Sequence, residues 1–256
     1  MNVQDSVAII TGGASGLGEA CVRTLIARGG KAVIFDLQAD LGGKLVRELG
    51  DNVLFAQVDV TSTESVAQGI SKAMEKYGKI DITVNCAGTG APTKVLSKKG
   101  VHPLEVFTRI ITINLVGTFN VIRLAVEQMA KNAPGESGEK GVIVNTSSAA
   151  AFDGQIGQAA YSASKAAIVG MTLPIARECA DYGIRVVTIA PGIFDTPLLG
   201  SNITAEVRAA LNKMVPFPQR MGRPAEFASM VREIVENQYL NGEVIRLDGA
   251  IRMAAK

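Results

Sequence analysis

The sequence predicts a doubly wound α/β fold: one domain, a sheet of seven parallel strands, and helices on both faces. Three observations carry that expectation. Short apolar runs alternate with helix-length segments along the whole 256-residue chain. Such alternation needs crossover connections and so builds a parallel sheet. Most of the runs are apolar at successive positions rather than at every second one, as strands covered on both faces are. A glycine-rich turn, GGASGLG, follows the first run and opens the first helix.

The first strand is expected over Val7–Thr11, followed by a helix from about Leu17 to Arg28. Ala32–Asp36 reads as the second strand, Leu41–Leu49 as a helix and Val53–Val58 as the third strand. Residues 63–77 have helical spacing, with Val66, Ile70, Ala73 and Tyr77 on one face. Ile82–Asn85 is the fourth strand. A polar segment with Gly88, Gly90, Pro92 and Gly100 interrupts the alternation before a long helix from about Leu104 to Lys131. NAPGESGEKG has loop composition, and Val142–Thr146 is the fifth strand. The helix from about Gln158 to Ala180 carries Pro174, which should kink its last turns unless neighbours compensate. Ile184–Ile189 is the sixth strand, two helices follow near 204–214 and 224–236, and Glu243–Leu247 is the seventh. No linker, low-complexity tract or repeat beyond this alternation stands out. Residues 1–256 are read as one domain, with substrate loops near 89–103, 131–141 and 193–220.

Composition narrows the function classes. A hydrophobic share of 47% is ample for a core, and 26 basic against 24 acidic residues argues against a nucleic-acid surface built on bulk charge. Cys21, Cys86 and Cys179 are scattered without a CxxC pair, which fits a reducing compartment and neither a disulfide framework nor a zinc site. The single histidine, His102, excludes a histidine-built metal site, and any Ser-His-Asp triad would have to run through it. No metal is expected. No run approaches the ~20 apolar residues of a membrane span. The chain enters its first strand without a basic or signal-like leader. A cytoplasmic protein is expected, with delivery to an organelle by an uncleaved signal left open.

The glycine-rich turn points to dinucleotide binding. Gly12, Gly16 and Gly18 permit a sharp turn and close approach of a pyrophosphate, and the helix N-terminus offers free N–H groups and a positive dipole end. The spacing is G-x-x-x-G-x-G. A Walker loop fails because Glu19 stands where that loop requires a lysine. Asp36 ends the second strand, where a carboxylate can accept hydrogen bonds from the ribose hydroxyls of NAD and repel the extra phosphate of NADP. Leu37 follows it and Ser15 fills the loop, so no cation stands beside it. Asp59 and Val60, then Asn85, Cys86, Ala87 and Gly88, end the next two strands, at the edge where ligands bind open α/β sheets. Asp59 also reads as a cap for the helix beginning near Ser62. Cys86 reads as a small packing residue beside the cofactor rather than a nucleophile.

Tyr161 and Lys165 sit four apart, so they share one helix face, and Ser148 lies upstream after an apolar strand. A free tyrosine, with a pKa of about 10, is a poor base near neutrality. A nearby cation favours its phenolate. The pattern therefore fits proton chemistry on a hydroxyl, although Tyr-x-x-x-Lys alone is a weak signal.

TGGASGLG, Asp36, DVT at 59–61, NCAG at 85–88, Asn114, Ser148, YSASK at 161–165 and PGIFDT at 191–196 together resemble the short-chain dehydrogenase/reductase family, in the family's order and from end to end of the chain. Cys86 departs from the family's usual NNAG. Four further stretches resemble its branch acting on 3-hydroxyacyl-CoA and hydroxysteroids: NLVGTFNVIRLA, residues 132–177, VPFPQRMG and NGEVIRLDGAIRM. Ser147 before the catalytic serine, and a shorter Thr89–Lys98 segment, are local departures that leave chain-length preference open.

The resemblance implies a Rossmann-like fold and NAD as cofactor. It assigns Tyr161 as general acid/base, Lys165 to lower its pKa and bind the nicotinamide ribose, and Ser148 to hold the substrate oxygen. Asn114 would support a water linking Lys165 to solvent. Ser15 and Leu17 join the cofactor loop. Pro191, Gly192, Phe194 and Thr196 fall around the nicotinamide carboxamide. The implied reaction is oxidation of short-chain (S)-3-hydroxyacyl-CoA, with a hydroxysteroid or other secondary alcohol as the alternative and a non-catalytic NAD-binding scaffold as the remote one. Gln155 is expected to face substrate. Lys94, Lys98, Lys99 and Arg252 are candidates for the coenzyme A phosphates, against the default of a solvated surface. Small residues after Tyr161 (Ala166, Ala167, Gly170) permit close helix packing, and the resemblance implies a homotetramer.

Overall fold

β1 (Val7–Thr11) lies inside the sheet, and all of its residues are buried. The computed structural model describes residues 1–135, 137–200 and 203–255. Glu136, Ser201 and Asn202, which fall in two of the expected substrate loops, and Lys256 lie outside the described residues. The chain continues through α1 (Gly16–Ile26), β2 (Lys31–Asp36), α2 (Ala39–Leu49), β3 (Val53–Gln57), α3 (Thr63–Tyr77) and β4 (Ile82–Asn85). A short hairpin of β5 (Leu96–Ser97) and β6 (Gly100–Val101) precedes α4 (Leu104–Ile111), a π-helical turn at Thr112–Val116, and α5 (Gly117–Met129). Then come β7 (Gly141–Thr146), α6 (Ala159–Ala180), β8 (Ile184–Pro191), α7 (Ala205–Met214), α8 (Pro224–Glu236) and β9 (Val244–Leu247).

The sheet is seven-stranded, in the order β3-β2-β1-β4-β7-β8-β9, and every pairing in it is parallel. Because side chains alternate across a strand, each strand feeds two cores. Ala8, Ile10, Ile34, Val84, Val144 and Val187 pack against Val22 and Leu25 of α1 and Phe227 and Val231 of α8. Val7, Ile9, Val33, Phe35, Ile143 and Val186 pack against Val66 of α3, Val121 and Ile122 of α5, and Ile175 of α6. β1 has β2 on one side and β4 on the other, so the strand order reverses there. The crevice above that switch point is where open α/β sheets bind ligands.

Two expectations need correction. The long helix is not continuous α-helix: its hydrogen bonding widens at Thr112–Val116, around the buried Asn114. Leu104–Met129 is also long and apolar enough to cross a bilayer, contrary to the expectation that no run is. In the fold, Ile110, Val121, Ile122, Ala125 and Met129 of this stretch are buried. α6 runs to Ala180 as expected, with Pro174 inside it. Both Pro174 and Gly170, whose carbonyl loses its intrahelical donor, lie on the solvent side, where water can replace the bond. The β5–β6 hairpin, within a polar and glycine-containing segment, had no sequence signal of its own.

The far edge of the sheet is tied down by Arg185 of β8. Its guanidinium pairs with Glu139 at 2.7 Å and donates to the carbonyls of Ile234, Val235, Asn237 and Leu240 around the C-terminus of α8. Both side chains are nearly inaccessible. Glu139 also accepts from the Met1 amine at 2.7 Å. Removing one partner of such a pair leaves an uncompensated buried charge. Arg185→Ala is therefore expected to lower unfolding free energy by about 3–5 kcal/mol, read by urea denaturation. A loss near zero would show that the pair does not secure this edge.

Candidate active site

The turn after β1 can only be made with glycine. Gly12 has φ +62°, and a Cβ there would lie 2.9 Å from the Ala87 nitrogen. A Cβ on Gly18 would lie 2.2 Å from the Gly12 carbonyl oxygen. The first helix thus sits directly on the loop, and the loop on the end of β4. That close approach opens a cleft of about 1150 Å³, lined by Gly12, Ser15, Gly16, Leu17, Gly18, Asp36, Asp59, Val60, Cys86, Ala87, Gly88 and Thr196, among others. Ser15 is the N-cap of α1, yet its side chain makes no capping hydrogen bond. The hydroxyl and the first N–H groups of α1 are left to face an anion. The cradle therefore fits a dinucleotide pyrophosphate.

Asp36 is buried, not an exposed strand end. Its carboxylate accepts from the backbone N–H of Ala14 and of Gln38, each at 3.0 Å, and it lines the cleft. The carboxylate is thereby fixed at the cleft wall. Asp59 does not cap α3; Ser62 does, accepting from the Ser65 N–H. Asp59 instead accepts from the N–H and hydroxyl of Thr61, at 2.9 and 2.7 Å, and is exposed along the cleft wall. Asn85 does not reach the cleft. It is buried in β4, where its Nδ2 donates to Asn145 Oδ1 of β7 at 2.9 Å. Its place is under the site, joining two strands.

A second cavity of about 280 Å³ adjoins the first, and Leu17, Cys86, Gly88, Thr89 and Thr196 line both. Ser148, Tyr161, Lys165, Pro191, Gly192 and Phe194 line the second. Strand β7 ends in two serines, and the structure tells them apart. Ser147 is buried and its hydroxyl donates to the Lys165 carbonyl at 2.8 Å. The Ser148 hydroxyl accepts from the Ala150 N–H at 3.1 Å and faces the cavity. Phe194 turns its ring inward, edge-on to Phe227 at 6.4 Å, so its backbone is held at the cavity wall.

Lys165 is buried in α6, and its Nζ donates to the Thr146 carbonyl at 2.8 Å. It lies 5.8 Å from the centre of the Tyr161 ring. Burial pulls the ammonium down to about 8, opposed by the nearby Cys86. Burial also pushes the Tyr161 phenol above its ordinary value, against a downward pull from its hydrogen bond with Ser148. Burial thus sets the direction for the phenol, and the Ser148 hydrogen bond opposes it.

Asn114 touches neither cavity. Its amide grips the Thr89 peptide from both sides, Oδ1 accepting from the N–H at 2.8 Å and Nδ2 donating to the carbonyl at 2.9 Å. It also donates to Ser164 Oγ at 3.0 Å. This holds residues 88–90 against the pair. A Cβ on Gly88 would lie 3.5 Å from Lys165 Nζ, and one on Gly90 3.6 Å from Tyr161 Cδ2. Asn114 is a positioning residue, and a π-helical turn at such a place is typical of functional sites.

Gln155 is not part of the cavity. Its Nε2 donates to the Ala254 carbonyl at 3.1 Å. Lys94, Lys98 and Lys99 are exposed on and beside the β5–β6 hairpin, and Arg252 pairs with Asp248 at 3.2 Å. Cys86 is half-buried where the cavities meet, accepting from Thr146 Oγ1 at 3.5 Å. Residues the sequence reading missed are Thr89 and Thr146, which act through their backbone, and Leu198, Leu199 and Met253, which wall the second cavity. Backbone roles and loop-borne apolar walls leave no residue-type signature. Among the described residues, no group of three or more metal-ligating side chains is brought together.

The family model for short chain dehydrogenases matches residues 6–207. The chain is 54% identical to the 3-hydroxyacyl-CoA dehydrogenase type-2 of Drosophila melanogaster, covering 98% of this chain and 99% of that one. It is equally identical to the human protein of that name, over 98% and 97%. A crystal structure of 3-hydroxyacyl-CoA dehydrogenase type-2 from Mycobacterium avium superposes with a TM-score of 0.93 at 41% identity, covering 100% and 98% of the two chains. The 3-ketoacyl-(acyl-carrier-protein) reductase of Brucella melitensis, complexed with NADH, gives 0.88 at 28% identity, over 98% and 100%. With its dinucleotide cleft opening onto a serine, a tyrosine and a buried lysine, the chain belongs to the short-chain dehydrogenase family and is an oxidoreductase.

Proposed function

We propose that the protein oxidises short-chain (S)-3-hydroxyacyl-CoA thioesters, 2-methyl-branched ones included, to 3-ketoacyl-CoA with NAD. The observation that carries this reading is that the cleft cradling a dinucleotide adjoins, across Cys86, Gly88 and Thr89, a cavity lined by Ser148, Tyr161 and Lys165. The names of the relatives direct it to 3-hydroxyacyl-CoA. Asp36 supports NAD over NADP, since a buried carboxylate fixed by two N–H groups has no means of accommodating a further phosphate.

NAD, when bound, supplies the hydride acceptor. The chain supplies the rest. Ser148 holds the substrate oxygen by its hydroxyl. Deprotonated Tyr161 would take the alcohol proton at its phenolic oxygen as the substrate's C–H bond breaks and its electron pair leaves with the hydrogen as hydride. Lys165 stands one helical turn away, its ammonium held by the Thr146 carbonyl so that it cannot swing out of the site. Asn114 keeps residues 88–90 in place over both. A water between Lys165 and Asn114 and a homotetrameric assembly belong to the same reading.

Tyr161→Phe removes the proton acceptor and keeps the ring. NADH formation from (S)-3-hydroxybutyryl-CoA is expected to fall by about 10²–10⁴-fold while NADH affinity, read by fluorescence, is retained. Wild-type levels of turnover in this variant would overturn the assignment. Turnover with a steroid alcohol but with neither thioester would favour the alternative substrate class.

The sign of the pH dependence follows from burial. Oxidation needs the phenol deprotonated, and burial raises its pKa, so kcat/KM for oxidation should climb from neutral into alkaline pH. Reduction of the ketone needs the phenol protonated, so its kcat/KM should fall over the same span. Parallel profiles in the two directions would exclude Tyr161 as the group that titrates.

Lys98 and Lys99 form the turn of the exposed hairpin beside the cavities. If they meet the coenzyme A phosphates, Lys98→Gln with Lys99→Gln raises KM for the thioester and leaves KM for a steroid alcohol unchanged. Equal effects on both would remove the hairpin from the reading.

A further inference from the structure

We propose that the C-terminal segment Asp248–Ala255 sets the chain-length limit of the substrate cavity, with Met253 as the stop and Gln155 as the residue that holds it there. The inference rests on the proposed reading of the cavity as an acyl site. After β9 the chain turns sharply: Gly249 and Ala250 both have positive φ, at 59° and 66°. Asp248 stabilises that turn by accepting from the Ala250 N–H at 3.0 Å. The segment then runs back over the substrate side of the molecule. It is tied to the loop between Ser148 and Tyr161 at two points. The Ile156 N–H donates to the Ala255 carbonyl at 3.0 Å, and Gln155 Nε2 to the Ala254 carbonyl at 3.1 Å.

Arg246 braces the base of this strap. It pairs with Asp153 at 2.5 Å and Asp248 at 2.7 Å, donates to the Ile251 carbonyl at 3.0 Å, and lies 5.0 Å above the centre of the Phe152 ring. Ile251 is buried in a small cluster with Ile193, Val215 and Met221. Leu211 and Met214 of α7, and Met253 itself, pack against that cluster. The strap therefore joins the α7 side of the site to the Ser148–Tyr161 loop, and Met253 is its one residue lining the cavity.

Ile193, Leu198 and Leu199, also apolar, line the same cavity. A flexible, unbranched thioether on a held backbone can shift to admit a methyl branch, yet it still fills the space a longer chain would need. Gln155 contributes without touching substrate: its amide fixes the backbone immediately after Met253. The chemical class recognised is the alkyl end of the substrate, and the recognition is by volume.

The test is kcat/KM over a graded series of (S)-3-hydroxyacyl-CoA thioesters, from butyryl to decanoyl, with dissociation constants for NADH measured alongside. Met253→Ala should raise the ratio of long-chain to butyryl kcat/KM by roughly tenfold or more, since one methylene in an apolar pocket is worth about that. Met253→Phe should lower it. Gln155→Glu keeps size but loses the donor to Ala254. It should shift the ratio in the direction of Met253→Ala, through KM of the short substrates rather than through kcat, with NADH affinity unchanged. Unchanged ratios in Met253→Ala, or equal losses at every length, would overturn the inference. If wild type turns over no thioester, the acyl-CoA reading fails. The same variants are then read on secondary alkanols of graded length, where the shift in length preference remains the criterion.

Discussion

The buried ammonium of Lys165 is the constraint around which the catalytic edge is built. Taking an ammonium out of water costs several kcal/mol unless it is paired and hydrogen-bonded. The lowering from 10.5 to about 8 corresponds to about 3 kcal/mol in favour of the neutral amine. Three elements converge to keep it in place. The end of β7 offers the Thr146 carbonyl, and Ser147 pins the lysine's own backbone carbonyl. Gly88, after β4, passes close enough that a Cβ there would be in van der Waals contact with Nζ. The π-helical turn brings Asn114 to hold that passing segment. The site keeps a charge where the fold alone would not, as is common where function competes with stability.

The same logic explains why the cofactor cleft and the catalytic cavity adjoin. The first requires β1 to stop where β4 also stops, so that Gly12 can lie against Ala87. The second requires β7 and β8 to continue past that level, to Thr146 and Pro191. The staggered strand ends form a step, and Cys86, Gly88 and Thr89 lie on it and line both cavities. Asn85, one residue earlier, is consumed in joining β4 to β7. The change from building the sheet to lining the site thus falls between two adjacent residues.

On the substrate side the structure relies on loops and on the C-terminal segment rather than on the sheet. α7 buries none of its residues. It is attached through the satellite cluster around Ile193 and Ile251 and through the bidentate Arg208–Asp195 pair at 2.7 and 3.1 Å. An exposed ion pair of this kind contributes little stability. The rigid wall of the site is the sheet edge, and the adaptable wall is the strap and α7, which suits a family whose members share chemistry and differ in substrate.

The sequence by itself determined the fold class, the strands to within a few residues, the glycine turn, Asp36 and the Ser148–Tyr161–Lys165 set. These were legible because each rests on local physics: alternating apolar runs, a turn that needs φ > 0, two side chains one helical turn apart. Only the tertiary structure decided which of two adjacent serines faces the cavity, since that depends on which hydroxyl the α6 backbone captures. Likewise it moved Gln155 from the substrate to Ala254, Asn85 from the cleft to the sheet, and Asn114 to the Thr89 peptide. The π-helical turn and the cavity wall at Met253 were not legible, because both arise from contacts between segments far apart in the chain. The phenol of Tyr161 is the sharpest case. Spacing places Lys165 one turn away, but the upward push on the phenol comes from burial, which only the packed structure defines.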